Sequence, residues 1–305
     1  MRTLVIINTQ AGGSDAGLYD FIRALGSSGT EVTLRFCDGT KRLEDLVADA
    51  PSFDRVVAAG GDGTVSAVCY ALRDTGVPVL VYPAGTANLL ALNLGMPLEP
   101  RVLAEITMTG VPVRFDVGEI VRTLPAEEDE APTGFMVMAG AGYDASIIEA
   151  AGPMKATLGA AAYLFAAVGN FAPTLAHFTL TLDDREVQTD GIAVLVVNFG
   201  RLQFDIEVAR GADPRDGVFD VAVLRSRNAA GLVPAVFAGI FDRGGARDAV
   251  PDVDVYSARC VRITSEPTLR MQYDGEAVVA STPFEARVLP GAATLLLPAD
   301  SPFTR

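Results

Sequence analysis

Four short apolar runs, Leu4–Ile7, Val32–Phe36, Val56–Ala59 and Val77–Tyr82, recur through the first hundred residues, each followed by a stretch with helical spacing. Leu18, Phe21, Ile22 and Leu25 fall on one helical face, Leu43, Leu46 and Val47 mark a second helix, and Thr64–Leu72 and Ala87–Leu94 supply two more. Strand and helix alternating at this spacing build βαβ units, and therefore a parallel sheet covered by helices. Ligands of such sheets collect at the carboxyl ends of the strands.

The pattern changes after about residue 112. Strand-like runs now follow one another: Val113–Val121, Phe135–Ala139, Thr179–Leu182, Ala193–Asn198, Val218–Leu224, Ala258–Thr264, Leu269–Tyr273, Phe284–Leu289 and Ala293–Leu297. Turn signals such as Asp183-Asp184 and Asp274-Gly275 separate them. This predicts a mainly antiparallel β-sandwich with helices near 144–170 and 229–241. The expected organisation is an α/β domain over 1–112, completed by 290–305, and a β-rich domain over 113–289, with a cleft between them.

Composition removes several function classes. The formal charge of −14 and pI near 4.5 exclude a nucleic-acid binder, which must neutralise phosphates. His177 is the one histidine, so a His-based triad and a multi-His zinc site are excluded. Cys37, Cys69 and Cys260 are far apart, without a CxxC pair, which suits a reducing, cytoplasmic setting. Neither Lys41 nor Lys155 follows a GxxxxG, so no Walker A loop is present. The first residues carry no signal-peptide pattern. Ala156–Leu182 is free of formal charge but is broken by Gly159, Gly169 and Pro173; it reads as a buried helix followed by a strand, not a membrane span. Glu127–Glu130 reads as an acidic surface loop, and scarce Lys beside abundant Arg and Ala fits a GC-rich bacterial genome.

Three loops fall at successive strand ends. Gly60-Gly61-Asp62-Gly63-Thr64 follows a buried strand and opens a helix, where glycine lets the backbone approach a ligand and the helix N-terminus favours phosphate. Asp62 is the unusual member: a carboxylate beside phosphate is repulsive unless a cation such as Mg²⁺ lies between. Pro83-Ala84-Gly85-Thr86-Ala87-Asn88 repeats the arrangement one unit later, and Asn8-Thr9-Gln10-Ala11-Gly12-Gly13 is the third loop. Together they read as a nucleotide site.

This order of motifs resembles the diacylglycerol kinase catalytic-domain family, which includes sphingosine and ceramide kinases and shares its GGDGT loop with NAD kinases and phosphofructokinases. The family's NPxxG is similar to Asn8-Thr9-Gln10-Ala11-Gly12, with Thr9 in place of proline; GGDGT is intact; GTxN is Gly85–Asn88, followed by Leu89 where an acid is common. Gly140–Ala145, Ala212–Gly217 and Asp274-Gly275-Glu276 resemble the family's later elements. The resemblance implies an α/β domain of phosphofructokinase and NAD-kinase type, ATP and Mg²⁺ as cofactors, and a lipid substrate. It implies nucleotide contacts at Asn8, Gly12, Gly60, Gly61, Gly63, Thr64, Gly85, Thr86 and Asn88. Asp274 and Glu276 would act at the transferred phosphate, one as base and one toward the metal, with Asp62 a rival for the base; Asp62 and Glu276 would hold the catalytic Mg²⁺, and Asp213 and Asp216 a structural one.

Without the resemblance, Asp274-Gly275 is an ordinary hairpin turn and Asp213–Gly217 a type I turn. Gly140-x-Gly142 lacks the acid a dinucleotide fingerprint requires, so it reads as helix packing. Asn198 and Arg201 are polar groups placed near the cleft mouth or simply in a turn. The uncharged helix around Leu158, Tyr163, Leu164 and Phe165, with Val233–Phe241, is either core or an acyl-chain groove. The expected activity is an ATP- and Mg²⁺-dependent lipid kinase acting on diacylglycerol to give phosphatidic acid, meeting the membrane surface transiently, with a homodimer as the default assembly. The alternatives are a NAD kinase-like enzyme and a catalytically silent lipid-binding protein.

Overall fold

A computed structural model describes residues 1–11, 16–122, 132–142, 174–201, 212–225 and 253–304. The chain divides into two compact units, Met1–Val117 with Pro290–Arg305, and Gly118–Leu289.

The first unit is a parallel sheet in the order β2-β1-β3-β4-β16. Its strands are β1 (Arg2–Asn8), β2 (Glu31–Cys37), β3 (Arg55–Gly60), β4 (Val79–Pro83) and the C-terminal end of β16 (Phe284–Leu297). Leu4–Ile6, Val56–Ala59 and Leu80 are at most 1% exposed, as strands covered on both faces require. Register fixes which ends coincide: Asn8 lies opposite Cys37, Ile7 opposite Ala59 and Gly60 opposite Pro83. The turns leaving β1, β3 and β4 therefore share one sheet edge. The helices are α1 (Ala16–Ser27), α2 (Leu43–Val47), α3 (Asp62–Ala71), α4 (Leu89–Leu94) and α5 (Pro100–Thr109). Phe21 of α1 packs on Tyr82 with ring centroids 5.0 Å apart, and Phe303 meets Phe115 edge-on at 5.2 Å. Spacing alone did not flag α5; it starts with Pro100 in its first turn and buries Leu103, Ala104 and Ile106.

The second unit holds two antiparallel sheets. One runs β12 (Val253–Ala258), β11 (Phe219–Leu224), β10 (Ala193–Val197), β7 (Met138–Gly142), β14 (Arg270–Tyr273), β15 (Glu276–Ser281). The other runs from the start of β16 through β13 (Cys260–Glu266) and β8 (Ala176–Leu182) to β9 (Arg185–Gly191). Phe178, Leu180, Val261 and Ile263 from one sheet and Ala139, Val194, Val196 and Val221 from the other form a common core. β5 (Val111–Arg122) pairs with β6 (Thr133–Phe135), placing Gly118 opposite Phe135. The Phe135 ring fills the space a side chain at Gly118 would need and stacks on Phe219 at 5.5 Å.

Several expected strands have different limits. Phe135–Ala139 is not one strand: β6 ends at Phe135 and β7 starts at Met138. The runs 284–289 and 293–297 are one strand, β16, because Asp116 Oδ1 accepts the Gly291 N–H at 2.6 Å and Arg114 Nε donates to the Gly291 carbonyl at 2.7 Å. Ala258–Thr264 is split at Arg259, where Asp183 accepts the N–H groups of Arg259 and Cys260. His177 is exposed and bonded to Asp190, its cross-strand partner, at 2.8 Å. Among the described residues no helix is long and apolar enough to cross a membrane. Of Ala156–Leu182 the residues from 174 onward are described, and they include the strand β8; residues 156–173, the acidic loop Glu127–Glu130 and the apolar stretches near 144–170 and 229–241 lie outside the described residues.

Phe219 is fully buried. Phe219→Ala is expected to lower unfolding free energy by roughly 3–5 kcal/mol in a urea titration; a loss under about 1 kcal/mol would contradict its place in the core.

Candidate functional site

In the first unit the three loops at the common sheet edge are tied to one another by hydrogen bonds. Asn8, the last residue of β1, donates from Nδ2 to Thr64 Oγ1 at 2.7 Å, and its Oδ1 accepts the Gln10 N–H at 2.9 Å. One side chain thus shapes its own loop and reaches the first turn of α3. Ala84 N–H donates to the Gly60 carbonyl at 3.1 Å. Asn88 adopts a left-handed backbone (φ 49) and closes its loop on itself: Oδ1 accepts the Gly85 N–H and Nδ2 donates to the Gly85 carbonyl, both at 2.8 Å. Glycine is needed where the loops approach. A Cβ on Gly85 would stand 2.5 Å from Gly61 Cα, and one on Gly60 would stand 2.6 Å from Thr64 Cβ. Thr86 is exposed beside this contact, and Gly61 and Gly63 are half-buried.

Asp62 has a definite structural task. It is 8% exposed, sits in the first turn of α3, and its Oδ1 accepts the N–H of Leu90 at 2.9 Å. Asn88, at the N-cap of α4, makes no side-chain cap, so the carboxylate of Asp62 caps α4 in its place. The positive ends of two short helices, α3 and α4, favour a negative charge there. A carboxylate within GGDGT therefore has a task in the fold itself.

In the second unit the candidate residues gather at one end of the six-stranded sheet. Register places Met138 opposite Val197, Tyr273 opposite Ala139 and Glu276, and Asp220 opposite Val197. The Asp274-Gly275 turn, Asn198, the Met136-Val137 link and the loop before β11 all leave the sheet on this side. Asp274 and Gly275 both have positive φ, 47 and 77, the geometry of a two-residue hairpin turn. Asp274 is 3% exposed, and its carboxylate accepts the N–H groups of Met136 (2.9 Å), Val137 (2.8 Å) and Met138 (3.1 Å). Glu276, two residues on, is exposed.

Asp213 and Asp216 lie in the turn before β11. Arg215 forks onto Asp213, Nε to Oδ1 at 2.8 Å and Nη2 to Oδ2 at 3.1 Å, while Asp216 Oδ1 accepts the Val218 N–H at 3.0 Å. Both aspartates are thus engaged by donors of their own turn, at the surface. Among the described residues no three His, Cys, Asp or Glu stand close enough to hold a metal. Burial pushes the Asp220 carboxyl above its ordinary range, opposed by a hydrogen bond from Ser257 and reinforced by the charge of Asp216.

Gly12 and residues Tyr143–Ala145 lie outside the described residues, as does the proposed acyl groove; Gly140 and Gly142 belong to β7. Arg201 is exposed. The sequence reading missed the link Met136–Met138, whose residues look like any apolar strand. It also passed over the end of β2, where the Thr9 N–H donates to the Cys37 carbonyl at 3.3 Å. A cavity of about 770 Å³ lies against the outer side of β2, lined by residues that include Leu34, Phe36, Lys41 and Asp45, and contains none of the predicted site residues.

Two family models match the chain: the diacylglycerol kinase catalytic domain over residues 2–120, and the YegS C-terminal NAD kinase beta sandwich-like domain over residues 137–297. The "Probable lipid kinase YegS-like" protein of Pseudomonas savastanoi pv. phaseolicola is 31% identical over 255 residues, 81% of this chain and 77% of that protein. The diacylglycerol kinase of Mycobacterium tuberculosis is 27% identical over 257 residues, covering 82% and 79%. An uncharacterized protein of Synechocystis, sll0036, is 26% identical over 254 residues; the match spans 81% of this chain but only 55% of that protein. Among solved structures, a diacylglycerol kinase from Bacillus anthracis superposes with a TM-score of 0.75 at 20% identity, covering 97% of both chains. Yeast NADH kinase complexed with NADH gives 0.56 at 13% identity, covering 98% of this chain and 84% of that one. These last two are likenesses of fold.

The loop contact yields a paired prediction. Gly85→Ala forces the backbone of two loops apart and is expected to cost roughly 1–3 kcal/mol. A Cβ on Gly61 would meet Gly85 Cα at an ordinary 3.6 Å, so Gly61→Ala is expected to cost under about 1 kcal/mol, the size of a changed helix cap. Thermal unfolding of the two variants checks the order; equal losses would contradict it.

Proposed function

We propose, from the premise that this chain belongs to the diacylglycerol kinase catalytic-domain family of lipid kinases, that it transfers the γ-phosphoryl group of ATP to a lipid hydroxyl, with diacylglycerol the acceptor and phosphatidic acid the product. The observation that carries this reading is local: the loops corresponding to the family's GGDGT and GTxN motifs touch at one sheet edge, with Asn8 bonded across to Thr64.

In this reading Asn8, Gly12, Gly60, Gly61, Gly63, Thr64, Gly85, Thr86 and Asn88 bind the nucleotide. The N–H groups in the first turn of α3 have no intrahelical acceptor and suit phosphate oxygens. Gly61 and Gly63 add no side chain there. Mg²⁺ enters as the counter-ion of ATP, not as a resident ion, and supplies neutralisation of phosphate charge. Asp62, at the sheet edge where the three loops meet, is the first unit's carboxylate to hold it. The acceptor hydroxyl must lose a proton as it attacks; with His177 exposed and paired to Asp190, the proton acceptor is drawn from Asp274, Glu276 and Asp62. The lipid would be met transiently at a bilayer surface.

Labelled ATP with Mg²⁺, offered separately with micelles of diacylglycerol, monoacylglycerol, ceramide and a sphingoid base, and with NAD, tests the assignment by thin-layer chromatography. Label in phosphatidic acid is the expected result; label on NAD alone, or lipid co-purifying without any ATP turnover, overturns it. The cap on α4 refines the mutational test. Asn retains an oxygen to accept the Leu90 N–H, so Asp62→Asn is expected to keep the thermal midpoint close to the wild type while lowering turnover ~10²–10⁴-fold. Asp62→Ala is expected to lose the cap as well, at about 1 kcal/mol. Wild-type turnover in Asp62→Asn would remove Asp62 from the reaction.

A further inference from the structure

The link Met136–Met138 is buried and irregular: its residues are 0%, 0% and 6% exposed, and it lies where β6 has stopped and β7 has only begun. Such a segment must find a partner for each backbone N–H and C=O. All six are met. The three N–H groups donate to Asp274. The Met136 carbonyl accepts Asn198 Nδ2 at 2.7 Å, the Val137 carbonyl accepts the N–H groups of Asn198 (2.9 Å) and Phe199 (3.0 Å), and the Met138 carbonyl accepts the Asp274 N–H at 2.9 Å. Two side chains from opposite sides, one after β10 and one in the β14–β15 turn, hold three residues between them.

We propose that Asn198 is a positioning residue: with the Asp274 carboxylate on the other flank it clamps Met136–Met138, and thereby fixes the turn that carries Asp274 and Glu276. The inference rests on the lipid-kinase reading of that turn. Both oxygens of Asp274 accept amide hydrogens of the link. Asp274 holds the link from one flank, and Asn198, 2% exposed, completes the same clamp from the other. Because both act on one segment, removing either releases it, and removing the second then has little left to release.

The test uses the full chain with Asn198→Leu, which keeps volume and removes the donor, Asp274→Asn, and the double variant; Asn198→Ala serves if Leu prevents folding. The readouts are kcat, KM for ATP, and amide hydrogen exchange over 136–138. The expected result is kcat about tenfold lower in Asn198→Leu, as for one lost positioning hydrogen bond, with KM for ATP within about twofold. Exchange over 136–138 quickens in each single variant, and the double variant falls no further than Asp274→Asn. Losses that multiply, or unchanged exchange over 136–138, overturn the clamp. A wild type that labels no lipid, with exchange still quickened in both single variants, overturns the kinase reading and leaves the clamp standing.

Discussion

Backbone that leaves a helix or a ladder in a buried place has to be met by something, and in this chain aspartate repeatedly meets it. Asp62 takes the N–H at the head of α4, Asp274 the three amides of Met136–Met138 and the buried Asp116 that of Gly291; at the surface Asp183 does the same for Arg259 and Cys260. A hydrogen bond to a charged acceptor contributes roughly 1.5–3 kcal/mol, and leaving the buried group unmet costs a similar amount. Part of the acidic excess, a net −14, is thus internal scaffolding and not a solvated face. Each of these carboxylates joins segments far apart in sequence, so it also fixes where loops stand.

That constraint bears on the chemistry. Phosphoryl transfer leaves little for the protein to do beyond holding groups in place and meeting developing charge. Loops that carry such work must be stiff before the substrate arrives. In the first unit stiffness comes from a side chain crossing between loops, Asn8 to Thr64, from the Asn88 ring closed on Gly85, and from glycine at the one point where two backbones touch. In the second it comes from a buried link with every backbone group satisfied. The family match spans both units, over 2–120 and 137–297.

The first unit was nearly readable from sequence. Fully covered parallel strands are continuous apolar runs, so Val56–Ala59 falls within one residue at each end of the observed Arg55–Gly60, and the Gly-rich turns after such runs point at the edge where the three loops meet. What failed was local chemistry set by distant partners. Met136 and Val137 are as apolar as the strands around them, and the carboxylate that pulls them out of the ladder lies 138 positions from Met136. Pro290-Gly291 looks like a turn, yet Asp116 and Arg114 keep the strand continuous through it. Asp62 looked out of place beside phosphate because its acceptor role toward Leu90, 28 residues on, is invisible in the motif.

Amide chemical-shift mapping with a non-hydrolysable ATP analogue and Mg²⁺ tests the central claim most directly. Shifts concentrated in Asn8–Ala11, Gly60–Thr64 and Gly85–Asn88 are what this account predicts. Shifts confined to the cavity beside β2, around Leu34–Asp49, with those three loops unmoved, would contradict it.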